Sequence, residues 1–428
     1  MGSAANISTQ TTSPGIDGAR AIPSLVDLLA PEVLADPYPL YRRLREHDPV
    51  HWDPYLHAWV VTRYADVITV LHRFSADRTP TPGQLMAMGL TAMTPVARVM
   101  VQQMLFMDPP AHTRLRSLAA KAFTPARVAV LRSQIQSTAD ALIDEVAGSG
   151  KMDLVADFAA PLPAIVTANM LGLPASDHQL LKNWSADFAQ MLGNFQHNPD
   201  HLNNVLNSLE DMLTYFRQAV RQQRVSGTEG LIHSLATAKI DGDSLTEDEV
   251  VANAILTMVG GQETTTNLIG NGILTLLRNR SQLERLRDDT ALMPTAVEEL
   301  LRYESPSQHT ARLAPDDVWL GGKLIRKRQA VIAVMGAGNR DPERFSAPDR
   351  LQLDRADNHH LAFGWAAHFC FGAALARLEG QVSFETILRR LPGLALDTDQ
   401  VVWRQNLGLR GLVTLPVQFE PQPAAHGV

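Results

Sequence analysis

Three short stretches concentrate the side chains of this chain that can do chemistry. The first, FGWAAHFCFGAALAR from Phe363 to Arg377, holds Cys370, the only cysteine among 428 residues. A lone cysteine has no internal disulfide partner, which leaves packing, nucleophilic attack or metal ligation. Gly364 and Gly372 let backbone approach another group closely. The apolar helix expected after Gly372 points unpaired N–H groups and its positive end back at the sulfur, favouring thiolate over thiol. The second stretch, GGQETTT from Gly260 to Thr266, sets an acid, Glu263, beside an alcohol, Thr264. Such a pair can hold water and relay protons. The third is VEELLRY, where Glu299 and Arg302 lie three apart and share one face of a helix. Taken singly, that pair reads as an ordinary surface salt bridge.

These groups need elements to hold them. Ser244 followed three residues later by Glu247 is a capping-box pattern, and apolar positions then continue on several faces through about Leu277. About 33 residues at 1.5 Å each make a helix of roughly 50 Å, long enough to cross a whole domain. GGQETTT falls in its middle, where two adjacent glycines cost on the order of 2 kcal/mol against alanines. The plain reading is close helix packing, with the threonines bonding back to the preceding turn. The functional reading is a groove opened beside a buried acid and alcohol. Upstream, the pattern predicts a helix over Pro37 to Glu46, paired strands at His51 to Asp53 and Ala58 to Thr62, and a helix over Tyr64 to His72. Later strand signals are brief: Val318 to Leu320, Ala330 to Met335 and Gly411 to Val417.

Composition excludes several classes of function. A formal charge of −7 argues against a nucleic-acid partner, which needs a basic surface field. The longest apolar run, Val250 to Leu277, is interrupted by Gln262 and Glu263, so no membrane span is expected. The start of the chain lacks the charged-then-apolar pattern of a signal peptide, and the expected location is cytoplasmic. Hydrophobic residues make up 45%, ample for a core. No linker-like stretch divides the chain, so residues 23–420 read as one domain between a disordered tail at 1–22 and a short tail at 421–428.

The pentadecamer Phe-Gly-x-x-x-His-x-Cys-x-Gly-x-x-Leu-Ala-Arg resembles the haem-ligand loop of the cytochrome P-450 family, and GGQETTT resembles that family's oxygen-activation element. The resemblance runs from about Pro31 to the C-terminus. It implies a mainly α fold with small peripheral β-sheets and a long central helix over a buried haem b. Cys370 would ligate the iron as a thiolate, and Phe363 and Gly364 would join it as cofactor-binding residues. His112 and Arg116 in PPAHTRLRS, Arg312 in ARLAPDDV and His368 would bind the haem propionates. Glu263 and Thr264 would deliver protons to bound dioxygen. Glu299 and Arg302 would join Arg344, from NRDPERF, in a network that holds the cysteine loop. Departures from the family pattern are Gly260 where alanine is usual, Ala366 where glycine is usual, and Arg326 and Arg328 in place of a turn's proline and glycine.

By the same resemblance, the substrate pocket is expected to draw on Met86, Met88 and Met93, on Leu192, on Gly260 of the central helix, and on Gln308, His309 and Leu407. That lining suits a medium-to-large apolar, partly oxygenated small molecule. The implied enzyme is a soluble bacterial-type monooxygenase of natural-product tailoring, hydroxylating or epoxidising its substrate. Its electrons would come from a ferredoxin and a ferredoxin reductase. Oxidative ring coupling and a non-catalytic haem- or ligand-binding protein are the alternatives on this fold. A haem-free hydrolase with Cys370 as nucleophile and His368 as base would require two residues two apart on a loop to align for proton transfer.

Overall fold

A computed structural model describes residues 23–122, 125–193, 199–227, 230–240 and 242–422. Of the expected tails, 1–22 and 421–428, only residues 421 and 422 are described, and the Gln422 N–H donates to the Ala147 carbonyl. The elements that matter to the site run in chain order: α1 (Tyr38–His47), β1 (Val50–Asp53), β2 (Ala58–Val61), α2 (Tyr64–Arg73), α3 (Ala111–Ala122), α4 (Arg132–Val146), α5 (Pro161–Leu171), α6 (His178–Gly193), α7 (Pro199–Ser226), α8 (Glu247–Arg278), α9 (Met293–Tyr303), β3 (Thr310–Leu313), β4 (Ala330–Ala333), α10 (Ala373–Arg390), β5 (Val402–Trp403) and β6 (Leu412–Thr414). Helices dominate. The largest sheet has the order β1–β2–β4–β3, with β2 parallel to β4 and the other two pairings antiparallel. No helix among the described residues is long and apolar enough to cross a membrane.

The central helix begins two residues later than its first capping pattern implies. Thr246 accepts a hydrogen bond from the Glu249 N–H, and the Glu249 carboxylate accepts one from the Thr246 N–H. Ser244 is instead consumed by a short hairpin, Asp243–Ser244 against Lys239–Ile240. The Ser/Thr-x-x-Glu spacing occurs twice in SLTEDE, and the hairpin decides which copy caps.

Along its 32 residues α8 serves two separate cores. Val250 to Val259 pack with α6, α7, Val96 and Leu115 in one apolar cluster. Leu268 to Leu276 pack with α4, α9 and α10 in another. The second contact is close: a Cβ on Gly272 would stand 2.5 Å from the Phe384 ring of α10. Residues 260–267 belong to neither cluster. The weak turn therefore sits where the molecule's two apolar bodies part.

Candidate active site

Cys370 ends a tight loop. Its N–H donates to the Phe363 carbonyl at 2.7 Å, Gly364 adopts φ = 71°, Ala366 adopts φ = 55°, and a 3-10 turn over Ala366–His368 leads on to the sulfur. Glycine enters that left-handed region freely, whereas alanine there carries about 1 kcal/mol of strain. Ala366→Gly is expected to raise the unfolding free energy by about 1 kcal/mol, read as a higher denaturant midpoint at unchanged slope. The Phe363 ring packs under the Arg377 guanidinium, 4.6 Å from its centroid, and beside Phe369. Burial pushes the Cys370 thiol up, against the Gly372 N–H, Arg116 and Arg377, which pull it down. Yet the residue is accessible although it lies deep in the molecule, as are its neighbours Ala366, Ala367 and Phe369. The sulfur thus lines an interior space. Gly260 is accessible in the same way at the centre of α8, with no atom within 4 Å of where a Cβ would stand.

Cationic and N–H donors gather beside the loop. The His112 and His368 rings lie 4.2 Å apart, and Arg116 donates to the Phe369 carbonyl at 2.6 Å, tying α3 to the cysteine loop. Burial, then the charges of Arg312, His112 and Arg78, push His368 down to about 3, and burial also lowers His112. Both imidazoles are neutral at pH 7 and present one N–H each. His112 Nε2 and Arg312 Nε are buried without a hydrogen-bond partner among the described residues. Burial and then Arg312 push the Arg78 guanidinium down to about 9. Among the described residues, Asp108 is the one carboxylate acting on these groups. Three guanidiniums, two imidazoles and a single carboxylate leave unsatisfied donors whose burial costs about 1–3 kcal/mol each. A flat, mostly apolar ligand bearing two carboxylates supplies what they lack, so the residues fit haem. Arg78 was not foreseen, because no motif spacing marks it.

The two proton-handling candidates diverge. The Thr264 hydroxyl donates to the Gly260 carbonyl at 2.6 Å, the back-bonded arrangement of the plain reading. The Glu263 carboxylate turns instead to Arg404, at 2.7 Å, on a cavity of ≈150 Å³ lined by Lys182, Gln190, Gln262, Arg404 and Asn406. Burial raises Glu263, while Arg404 and Lys182 oppose it.

A family model described as "Cytochrome P450" matches residues 93–421. The chain belongs to the cytochrome P450 family. It is 38% identical to the biotin biosynthesis cytochrome P450 of Bacillus subtilis, over 91% of this chain and 98% of that protein. It is 37% identical to the cytochrome P450 monooxygenase PikC of Streptomyces venezuelae, over 94% and 96%. Among solved structures, P450BioI in complex with an acyl carrier protein ligated to hexadec-9Z-enoic acid superposes with a TM-score of 0.86 at 36% identity, covering 91% of this chain and 99% of that one. CalO2 does so at 0.85 and 32%, covering 92% and 98%.

The Glu299 network of this P450 differs from expectation in one member. Glu299 and Arg302 are fully enclosed and pair through two hydrogen bonds of 2.8 Å. The third partner is Arg355, whose Nε donates to Glu299 Oε2 at 3.0 Å. Arg344 lies outside the network and pairs with exposed Asp357. His360 is occupied by Glu298, 3.2 Å away.

Of the expected pocket residues, Met86, on a short helix, Pro82–Ala87, and Met88, its C-cap, are 71% and 54% exposed. Met93 is partly buried against the cluster shared by α6, α7 and α8. The side chain of Leu192 lies outside the described residues. Gln308 is held by the Ser305 carbonyl and packs against Gly336, so it is wall rather than lining. Leu407 belongs to the cluster around α1. His309, pushed down to about 4 by burial, is hydrogen-bonded to the Leu407 backbone. Gly260 alone among them combines accessibility with a place on the central helix.

Proposed function

We propose that this P450 is a haem b monooxygenase that hydroxylates a medium-to-large apolar, partly oxygenated small molecule in natural-product tailoring. The observation that carries the reading is the accessible sulfur of Cys370, deep in the molecule beside buried donors that lack an acceptor. When bound, haem supplies the iron centre for dioxygen activation and substrate oxidation. Cys370 would ligate that iron, and the Gly372 N–H with Arg116 and Arg377 would stabilise its negative charge. His112, Arg116, Arg312, His368 and Arg78 would receive the two propionates. Phe363 and Gly364 shape the loop around the ligand sulfur. Names among the relatives, biotin and polyketide biosynthesis, support the tailoring role. A ferredoxin and its reductase supply electrons in the cytoplasm, docking on the face of the cysteine loop.

Proton handling would fall to two residues of α8. Thr264 exchanges its bond to the Gly260 carbonyl for a water and donates onward. Glu263, with its raised pKa, takes protons from the Arg404 side and passes them along the turn. Gly260, without a Cβ, would leave room on α8 for substrate.

The test is a reconstituted reaction with wild-type protein and Thr264→Ala, scoring product against hydrogen peroxide. The variant is expected to keep reductant consumption while product per electron falls about tenfold or more, a loss typical of a removed proton donor. Unchanged coupling would remove Thr264 from the mechanism. Haem that binds without accelerated reductant use for any candidate substrate would favour a ligand-binding protein over an enzyme.

A further inference from the structure

Glu379 of α10 is a buried acid for which the mechanism above has no use. It is 1% exposed, and neither a hydrogen bond nor an ion pair reaches its carboxyl among the described residues. The ion pairs of α4, α9 and α10 itself leave it out, and burial is the only influence acting on its carboxyl. Asp140 and Asp144 of α4 pair with Arg389 and Arg390, Arg132 of α4 pairs with Glu385, and Glu298 of α9 pairs with Arg377 and His360. An isolated carboxylate in such surroundings is held as the neutral acid. Burial alone pushes Glu379 up to about 8.

The residue does not stand alone on its helix face. Ser383 and Thr386 follow at i+4 and i+7, both 0% exposed, and the Ser383 hydroxyl also lacks a partner. Thr386 accepts from Gln136 Nε2 at 2.9 Å, and the half-buried Gln136 also donates to Asp140. A polar stripe therefore runs from the surface at α4 inward to Glu379, along a helix otherwise packed with Leu375, Val382, Phe384 and Ile387. Apolar side chains at these three positions would avoid about 1–3 kcal/mol for each unpaired group. The inner end of the stripe lies seven residues past Gly372, about 10 Å along the helix axis from the cysteine loop.

We infer that Glu379 is a proton acceptor on the thiolate side of this P450, taking up one proton from the Gln136 end of the stripe when the haem iron takes up one electron. The inference rests on iron ligation by Cys370. The balance is simple: the iron gains one electron from a one-electron donor, the carboxylate gains one proton from solvent, and no substrate bond changes. The sign follows from charge. An electron added to the iron raises the proton affinity of a nearby carboxylate in a low-dielectric interior. Below about pH 8 the acid is already protonated, so the coupling shows only above it.

The experiment is a spectroelectrochemical titration of the haem-loaded full chain from about pH 6.5 to about pH 9.5, with dithionite as reductant for parallel infrared difference spectra. The wild-type midpoint potential should be flat at the acid end and fall above about pH 8, approaching one proton per electron. Glu379→Gln should be flat throughout, and Glu379→Asp should restore the fall. Reduction above that pH should create the carbonyl stretch of a protonated carboxyl in wild type and in Glu263→Gln, but not in Glu379→Gln. A flat wild-type potential, or a fall that survives in Glu379→Gln, overturns the proposal. Should Glu379→Gln fail to take up haem, the wild-type and Glu263→Gln infrared bands decide alone, presence supporting and absence overturning it. A wild-type protein without the thiolate spectrum would remove both the ligation reading and this one, whereas normal ligation with a flat potential removes only this one.

Discussion

Cys370→Ser is expected to erase the thiolate signature of the ferrous carbon-monoxide complex and to reduce substrate oxidation to the level of free haem, while the protein stays folded. Serine nearly matches cysteine in volume and leaves the Cys370 N–H to Phe363 carbonyl bond intact. What it removes is the ligand chemistry. A thiol with a reference pKa of about 8.5 can surrender its proton to a metal, and the Gly372 N–H, Arg116 and Arg377 assist it. An alcohol holds its proton far more tightly and is a harder, poorer ligand for this site. Near-unchanged circular dichroism with a lost spectrum would separate ligation from packing. A serine variant that keeps the thiolate spectrum would sink the assignment outright. If activity toward an ester vanished while haem binding did not change, Cys370 would be a nucleophile instead.

The parts of this site that were legible in sequence are those whose chemistry confines them to a few consecutive residues. The cysteine loop is one such part: its glycines, its histidine and its following helix all fall within a few residues of one sulfur. The glycine pair in α8 is another, since two adjacent glycines in an apolar helix announce a local purpose. Glu299 and Arg302 also lie within one turn. What could not be read was long-range return of the chain. Arg344 and Arg355 both follow α9 and both carry a guanidinium, and only the path of the loop between them decides which one reaches Glu299. Arg78 joins the propionate group from a loop far upstream of α3. Met86 and Met88 are apolar but exposed, on a short helix and at its C-cap. The Thr246 cap was lost to the same ambiguity on a smaller scale, two overlapping patterns separated by a hairpin.

That ambiguity between two arginines yields the second large effect. Glu299 is 0% exposed and accepts from Arg302, Arg355, Asn358 and the Gln352 N–H. Arg302 is equally enclosed and donates further to the Asn339 and Pro348 carbonyls and to the Arg350 carbonyl, which Arg355 also reaches. Within such a network each ion is tolerated only because its partners replace the water it lost. Arg355→Ala strips a charge-assisted bond from a carboxylate that no solvent can reach, and is expected to lower the unfolding free energy by about 3 kcal/mol. Arg302→Ala should cost more, up to about 5 kcal/mol, because it also orphans two carbonyls. Both should release haem more readily, since Arg355 fastens the segment leading into the cysteine loop through the Ser346 and Ala347 carbonyls. Arg344→Ala, by contrast, breaks a pair whose aspartate is open to water and should leave the denaturation midpoint and haem retention unchanged within error. Urea titrations of the three variants, with haem absorbance followed alongside tryptophan emission, measure both effects. A destabilised Arg344→Ala beside a neutral Arg355→Ala would reverse the assignment and return Arg344 to the network. Equal losses in both would mean that the loop between them moves as one body, tying the exposed pair to the buried one.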